Sequence, residues 1–208
     1  MAVDFQSVLA SPDAAYNEGV KLFRGKGMLN NALRKIAADL DREKIDYLAI
    51  GAMALNRHGY RRFTEDIDLL LTLEGLERFR ELLVGRGYRP AFEGARKKYR
   101  TSENIPLEVI TTGEYPGDGK PKAVVFPDPQ QFAVVIDGIK TISLEKLIEL
   151  KLASGLTAPH RLKDLADVQE LIKVRHLDKT YAENLDASVR DKFIELAEAV
   201  AAAGDEQN

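Results

Sequence analysis

Two aspartates at alternate positions inside an apolar run, Asp66-Ile67-Asp68-Leu69-Leu70-Leu71, constrain this chain more than any other feature. Aspartate is depleted from strands, yet the residues around this pair are those of a buried strand. In an extended chain Asp66, Asp68 and Leu70 share one face and Ile67, Leu69 and Leu71 the other, so both carboxylates project from the same side. Their Cα atoms would stand roughly 6.6 Å apart, near enough to reach one Mg2+ or a pair of ions about 3.5–4 Å apart. Without a cation, at least one carboxyl should have a raised pKa, because neighbouring carboxylates disfavour each other's ionised form. A solvent-facing pair near a strand end is the alternative for any isolated D-x-D.

Upstream, Ile45 to Ile50 reads as a short buried strand, Gly51-Ala52 as a turn, and Ala52 to Arg57 as a short helix closed by Gly59 in the left-handed conformation. The small turn residues let a ligand approach the backbone, and a helix N-terminus offers free N–H donors to phosphate. A turn that simply needs glycine fits the same residues. Downstream, Ile105-Pro106-Leu107-Glu108-Val109-Ile110 embeds another acid in an apolar segment, with Glu108 and Ile110 on one face. A surface glutamate on an edge strand is the other reading of that position.

Strand, small-residue turn, helix and a second strand bearing D-x-D together resemble the nucleotidyltransferase superfamily of the polymerase-β type. The match is carried by Ile50, Gly51, Asp66 and Asp68, with Ala52 departing from the usual second small residue. The longer run Gly51-Ala52-Met53-Ala54-Leu55, His58-Gly59-Tyr60-Arg61-Arg62 and Thr64-Glu65-Asp66-Ile67-Asp68 is similar to AbiEii-type nucleotidyltransferases, a family that includes toxins of bacterial toxin–antitoxin systems. Leu147 to Leu152 and Arg161 to Val168 resemble the later motifs of that family, so the likeness spans roughly Ile45 to Ile172.

The resemblance implies an α+β fold, a mixed sheet flanked by helices, and transfer of a nucleoside monophosphate from an NTP to an acceptor hydroxyl. It implies Mg2+ held by Asp66 and Asp68, with Glu108 as a third catalytic carboxylate. Gly51, Ala52 and Thr64 would contact the nucleotide, Lys151 would bind the triphosphate, and Asp164 would orient a partner group. The acceptor could be an RNA 3′ end, a protein hydroxyl or a small molecule such as an aminoglycoside, and an antitoxin protein is the implied partner of a toxin member. A catalytically silent nucleotide-binding or protein-interaction module is the alternative. For Arg161, Lys163 and Asp167 the spacing suggests exposed helix ion pairs, with Lys163 and Asp167 at i, i+4.

Bulk composition agrees with a globular enzyme: of 208 residues, 45% are hydrophobic and 30% charged, which suffices for a buried core. The absence of cysteine leaves oxygen and imidazole as the only metal ligands. No apolar run approaches the ~20 residues that cross a bilayer, and no basic-then-apolar leader opens the chain, so a cytoplasmic protein without membrane contact is expected. A net charge of −3 argues against a general nucleic-acid binder but permits a local basic surface. There is no P-loop, G-x-G-x-x-G or nucleophile elbow.

The order of elements predicts a nucleotidyltransferase core over 1–142 and a helical subdomain over 143–208. Gly25 and Gly27 mark a turn, after which Asn30 or Asn31 caps a helix from Ala32 to Asp41. Helical spacing runs from Glu74 to Val84, strands are expected over 96–101 and 106–111, and a hairpin turns at Asp137-Gly138. Ser143 caps a helix to Ser154, stopped by Gly155, and further helices follow over 161–175 and 187–202. The Gly/Pro-rich stretch 112–130 is either a lid or a surface loop. Arg96, Lys98 and Arg100 could track an RNA backbone, or protect an edge strand from aggregation. His58 is expected to be solvated or to cap a helix, and residues 201–208 to be a frayed helix end and a polar terminus.

Overall fold

The computed structural model describes residues 3–205, so Glu206 to Asn208, the expected polar terminus, lie outside the described residues. In chain order the elements are α1 (Phe5–Leu9), α2 (Pro12–Phe23), α3 (Gly27–Arg42), β1 (Tyr47–Ala49), α4 (Gly51–Arg57), β2 (Ile67–Leu71), α5 (Leu73–Leu82), β3 (Tyr88–Pro90), β4 (Lys98–Thr101), β5 (Pro106–Thr111), β6 (Ala133–Ile136), β7 (Ile139–Ile142), α6 (Leu144–Thr157), α7 (Leu162–Arg175) and α8 (Ala187–Asp205). The strands form one mixed sheet in the order β3-β4-β5-β2-β1-β7-β6. β2 is central, antiparallel to β1 and parallel to β5.

Alternation along these strands feeds two apolar cores on opposite faces of the sheet. Tyr47, Ala49, Ile67, Leu69, Leu71, Leu107 and Val109 point into a core closed by α1, α2, α3 and α5, through residues such as Phe5, Leu33, Ile36 and Phe79. Leu48, Ile50, Leu70 and Ile142 point into the other, closed by α6, α7 and α8 through Ile148, Val168, Leu171 and Phe193. Asp68 shares a face with Leu70, so its carboxylate emerges on the side of the C-terminal helices, beyond the end of that second core. Among the described residues no helix is long and apolar enough to cross a membrane.

Several local expectations are corrected. The helix before β1 begins at Gly27 rather than Ala32. Its N-terminal donor at Met28 bonds Glu18 at 2.8 Å, whereas Asn30 is buried inside the helix and donates to Leu22 O and Lys26 O. β4 is not an edge strand, because β3 covers it and Arg96 precedes it. The last helix continues without a break to Asp205. The hairpin turn matches expectation: Asp137 and Gly138 both have positive φ, 51° and 76°, between the paired Ile136 and Ile139.

Gly155 does not stop its helix. α6 runs on to Thr157, and glycine is required there because α7 packs so closely that a Cβ would lie 2.5 Å from Leu165 Cγ. Gly155→Val is therefore expected to lower unfolding free energy by roughly 1–3 kcal/mol through overpacking, read in urea melts.

His58 caps the C-terminal end of α4, one of its two expected roles, but is buried rather than solvated. Its Nε2–H donates to Ile142 O at 2.8 Å, tying the end of α4 to the end of β7. Burial pushes its pKa below 6.5, against the opposing pull of that hydrogen bond. A depressed pKa gives stability that is complete above the free imidazole value and lost as pH falls through the folded value. Stability should thus decline as pH drops below about 6.5, and His58→Gln should flatten that part of the profile in pH-dependent thermal melts.

Candidate active site

At the end of β2 facing α6 and α7 lies a cleft of about 430 Å³, whose lining includes Gly51, Ala52, Arg62, Thr64, Asp66, Asp68, Glu108, Lys151, Arg161 and Asp164. All eight residues that the sequence nominates therefore meet in one cavity, although they come from five separate stretches of chain. β2 and β5 run parallel with Asp68 opposite Glu108, and β4 places Lys98 opposite Glu108 in the same row. Asp66 sits in the bend just before β2 rather than within the strand. Its Oδ1 accepts the hydroxyl proton of Thr64, which folds the bend back on itself. Glu108 leans toward Lys98, 3.6 Å away, in a half-exposed pair of little energetic weight.

Gly51 is required on two counts. Its φ is +58°, a left-handed conformation unfavourable for residues with a Cβ, and a Cβ there would collide with the Asp68 carboxylate. The turn that opens α4 and the acid on β2 are thus in direct contact.

Burial raises the Asp68 carboxyl to about 7, with the negative charges of Asp66 and Glu108 adding to the rise and Lys151 and Arg62 opposing it. A raised carboxyl is what the sequence predicts, but burial rather than the crowding of carboxylates is its main cause.

On the opposite wall, α6 is buried on nearly every side from Leu147 to Gly155, and Lys151 is only 7% exposed. A buried ammonium must be paired, and Lys151 Nζ lies 2.9 Å from Asp164 Oδ1 and 2.7 Å from Asp167 Oδ2. Ser154 donates to Asp164 at 2.6 Å, and Arg62 donates to Asp167. Burial pushes Asp164 up, but Lys151 and the Ser154 hydroxyl outweigh it and hold the carboxyl below its ordinary value.

Helical spacing assigns Asp167 to an exposed pair with Lys163. The structure instead buries it at 2% exposure, bonded to Lys151 and Arg62. The signal that finds it is the three-residue interval from Asp164, which puts both acids on one face of α7. Arg62 and Ser154 have no comparable signal, because their roles depend on elements far apart in sequence. The stretch 112–130 walls the cleft with Glu114, Tyr115, Pro116, Gly117 and Phe126. It is anchored by Lys122, which donates to Thr157 at 3.1 Å, and by Gln130, which donates to Asp46 at 2.7 Å.

Among the described residues no group of three acidic or histidine side chains converges as a preformed metal cage. Mg2+ keeps several waters and is ordinarily held by one or two carboxylates plus substrate phosphates, so two aspartates suffice as its protein ligands. The donor set of Asp66 and Asp68, all oxygen and with one carboxyl raised by burial and by its anionic neighbours, fits that ion.

The architecture, a mixed sheet flanked by helices with a helical C-terminal part, is the nucleotidyltransferase-like fold. It is similar to an antigenic nucleotidyltransferase-like protein from Paracoccidioides brasiliensis, at 19% identity over 84% of this chain and 88% of that one, with a TM-score of 0.52. It is also similar to the antibiotic-resistance factor ANT(2'')-Ia, at 16% identity over 84% of this chain and 94% of that one, with a TM-score of 0.50. No family model matches the chain. No curated protein matches it either.

In metal-free protein, a carboxyl raised in the folded state favours folding fully below its unfolded pKa and loses that contribution as pH rises through about 7. Asp68→Asn should accordingly match the parent near the bottom of that window and become progressively more stable than it toward neutrality. Chemical denaturation in EDTA across the window reads this difference.

Proposed function

We propose that the chain is a Mg2+-dependent nucleotidyltransferase that moves a nucleoside monophosphate from an NTP to an acceptor hydroxyl. The observation that carries this reading is the pairing of Asp68 with Glu108 on adjacent strands, in a cleft that also holds Asp66 and the glycine-led start of α4. Asp66 and Asp68 are the ligands that would hold Mg2+. When bound, the ion neutralises phosphate charge and polarises the phosphoryl oxygens at the reacting centre.

The chain's own residues supply position and proton transfer. Gly51, Ala52 and Thr64 border the pocket where the nucleotide phosphates lie, and glycine lets them approach the backbone. Lys151 acts as a fixed positive charge beneath the triphosphate. Asp164 and Asp167 orient its ammonium, and Arg62 adds a second cation from the segment before β2. Glu108 accepts the proton of the acceptor hydroxyl as that oxygen attacks the α-phosphorus. The bond from the α-phosphorus to the oxygen bridging it to the β-phosphorus breaks, and pyrophosphate leaves with that oxygen. Holding the reactants in line and balancing developing charge provide most of the acceleration.

The finer reading, from the motif likeness, is the toxin of a toxin–antitoxin pair with RNA as acceptor. Incubation with each α-labelled NTP and either total RNA or cell extract tests both levels. Transfer of label with release of pyrophosphate is expected, falling at least about 10²-fold in Asp66→Asn and in Asp68→Asn. Absence of transfer to any acceptor, together with no metal-dependent thermal stabilisation by NTP, would identify a silent binding module instead.

A further inference from the structure

The far end of α4 opens into a second cleft, of about 420 Å³, that the transfer reaction does not use. Its lining includes Phe23, Arg24, Arg34, Arg57 and Arg61, with Asp137 as the acid among its lining residues. The arginines come from four places: the end of α2, the middle of α3, the end of α4 and the segment before β2. None of the four forms an ion pair among the described residues, whereas Arg42, Arg62 and Arg161 elsewhere each do. The chain as a whole is acidic, with net charge −3, so this concentration of unpaired guanidinium groups reverses the local sign.

Part of the cluster is set up at a cost. Arg57 is half-buried, it donates through NH1 to Met53 O at 3.2 Å, and its buried Nε has no hydrogen-bond partner. Burial and the neighbouring charge of Arg34 both disfavour its charged form, and Asp137 only partly offsets them. Arg34 is steered by a 2.8 Å bond to Gly25 O, which leaves the rest of its fork free. An anion in the cleft would satisfy these donors, and guanidinium forks match phosphate oxygens in geometry as well as charge.

Two exposed aromatics distinguish a nucleic-acid strand from a free anion. Phe23, 36% exposed, lines the cleft, and Phe63, 40% exposed, follows Arg61 and Arg62 with its ring beside Gly19 of α2. Arg61 lines the arginine cleft, while Arg62 and Thr64 line the carboxylate cleft, so one short stretch of chain borders both openings. Along α4, the seven residues from Gly51 to Arg57 set the clefts roughly 10 Å apart, a span of a few nucleotides. Interleaved cations and aromatic faces are how proteins hold single strands without reading sequence.

We infer that the cleft of Arg24, Arg34, Arg57 and Arg61 binds phosphodiester groups of a single-stranded nucleic acid, with Phe23 and Phe63 stacking its bases. Resting on the transferase reading above, this makes the strand the acceptor, its terminal hydroxyl reaching Glu108.

The test is fluorescence anisotropy of a short 5′-labelled single-stranded RNA, and of a DNA of the same sequence, with the full chain in EDTA and without NTP. Binding of at least one strand is expected, and it should weaken about tenfold or more in Arg34→Glu and in Arg61→Glu with a shallower salt dependence. Phe23→Ala should weaken it less, with the salt slope unchanged. Arg86→Glu, an equal charge change at an exposed residue outside both clefts, should leave affinity within about twofold. Circular dichroism of each variant checks that it is folded.

Equal loss in Arg86→Glu would mean that binding is general electrostatics, and no binding to either strand would overturn the inference. Thermal stabilisation by inorganic phosphate that disappears in Arg34→Glu, without strand binding, would assign the cleft to a small anion and also overturn it. The two readings fail separately. Strand binding retained in the Asp66→Asn/Asp68→Asn double variant, without transfer by the parent, would leave the cleft standing and remove the enzyme. Transfer to a small molecule without strand binding would do the reverse.

Discussion

Crowding of negative charge at the end of the central strand is the constraint around which this molecule is arranged. Asp68 projects from the face that, one pleat further along, buries Leu70 in an apolar core, and its partner across the parallel ladder is Glu108. Burial raises Asp68 to about 7, with the charges of Asp66 and Glu108 adding to the rise, so these acids cannot all ionise cheaply without a cation. Gly51 packs so closely on the carboxylate that the turn and the acid define each other.

The helical part of the chain answers that charge from across the cleft. Lys151 is carried on a helix buried on nearly all sides, and it is held by Asp164 and Asp167 from α7, the second of which also receives Arg62. The result is a chain of alternating charges that links the C-terminal helices to the segment before β2. Removing one member of such a buried set leaves its partners uncompensated, so the network fixes how α6, α7 and the segment before β2 meet as well as the field in the cleft.

Much of this was legible in the sequence because it is local or periodic. Alternation in Ile67 to Leu71 sorted the strand residues correctly between the two faces, although Asp66 lies in the bend before the strand, and the Asp137-Gly138 pair marked the hairpin. The face shared by Glu108 and Ile110 could be read directly, as could the small-residue turn at Gly51. What escaped was long-range. Gly155 has the look of a helix stop, and only the approach of Leu165 explains why the helix passes through it. Asp167 looks like half of a surface pair until α6 is seen to bury Lys151 beside it. His58 does cap its helix, one of the two roles expected of it, but only the end of β7, which supplies its acceptor, explains its burial. The five-residue α1 and the three-residue β3 are too short to show a period, and their apolar residues are recruited by packing against α3 and the sheet.

The central claim is that the crowded acids form a site for a divalent cation delivered with a nucleotide. The most direct measurement is calorimetric titration of Mn2+ into the protein with a non-hydrolysable NTP, in buffers of different ionisation enthalpy, at a pH near that of the Asp68 carboxyl. The account predicts nucleotide-dependent metal binding that releases a proton, with Asp68→Asn abolishing the release. Nucleotide binding that is indifferent to metal, or metal binding without proton release in the parent protein, would contradict it.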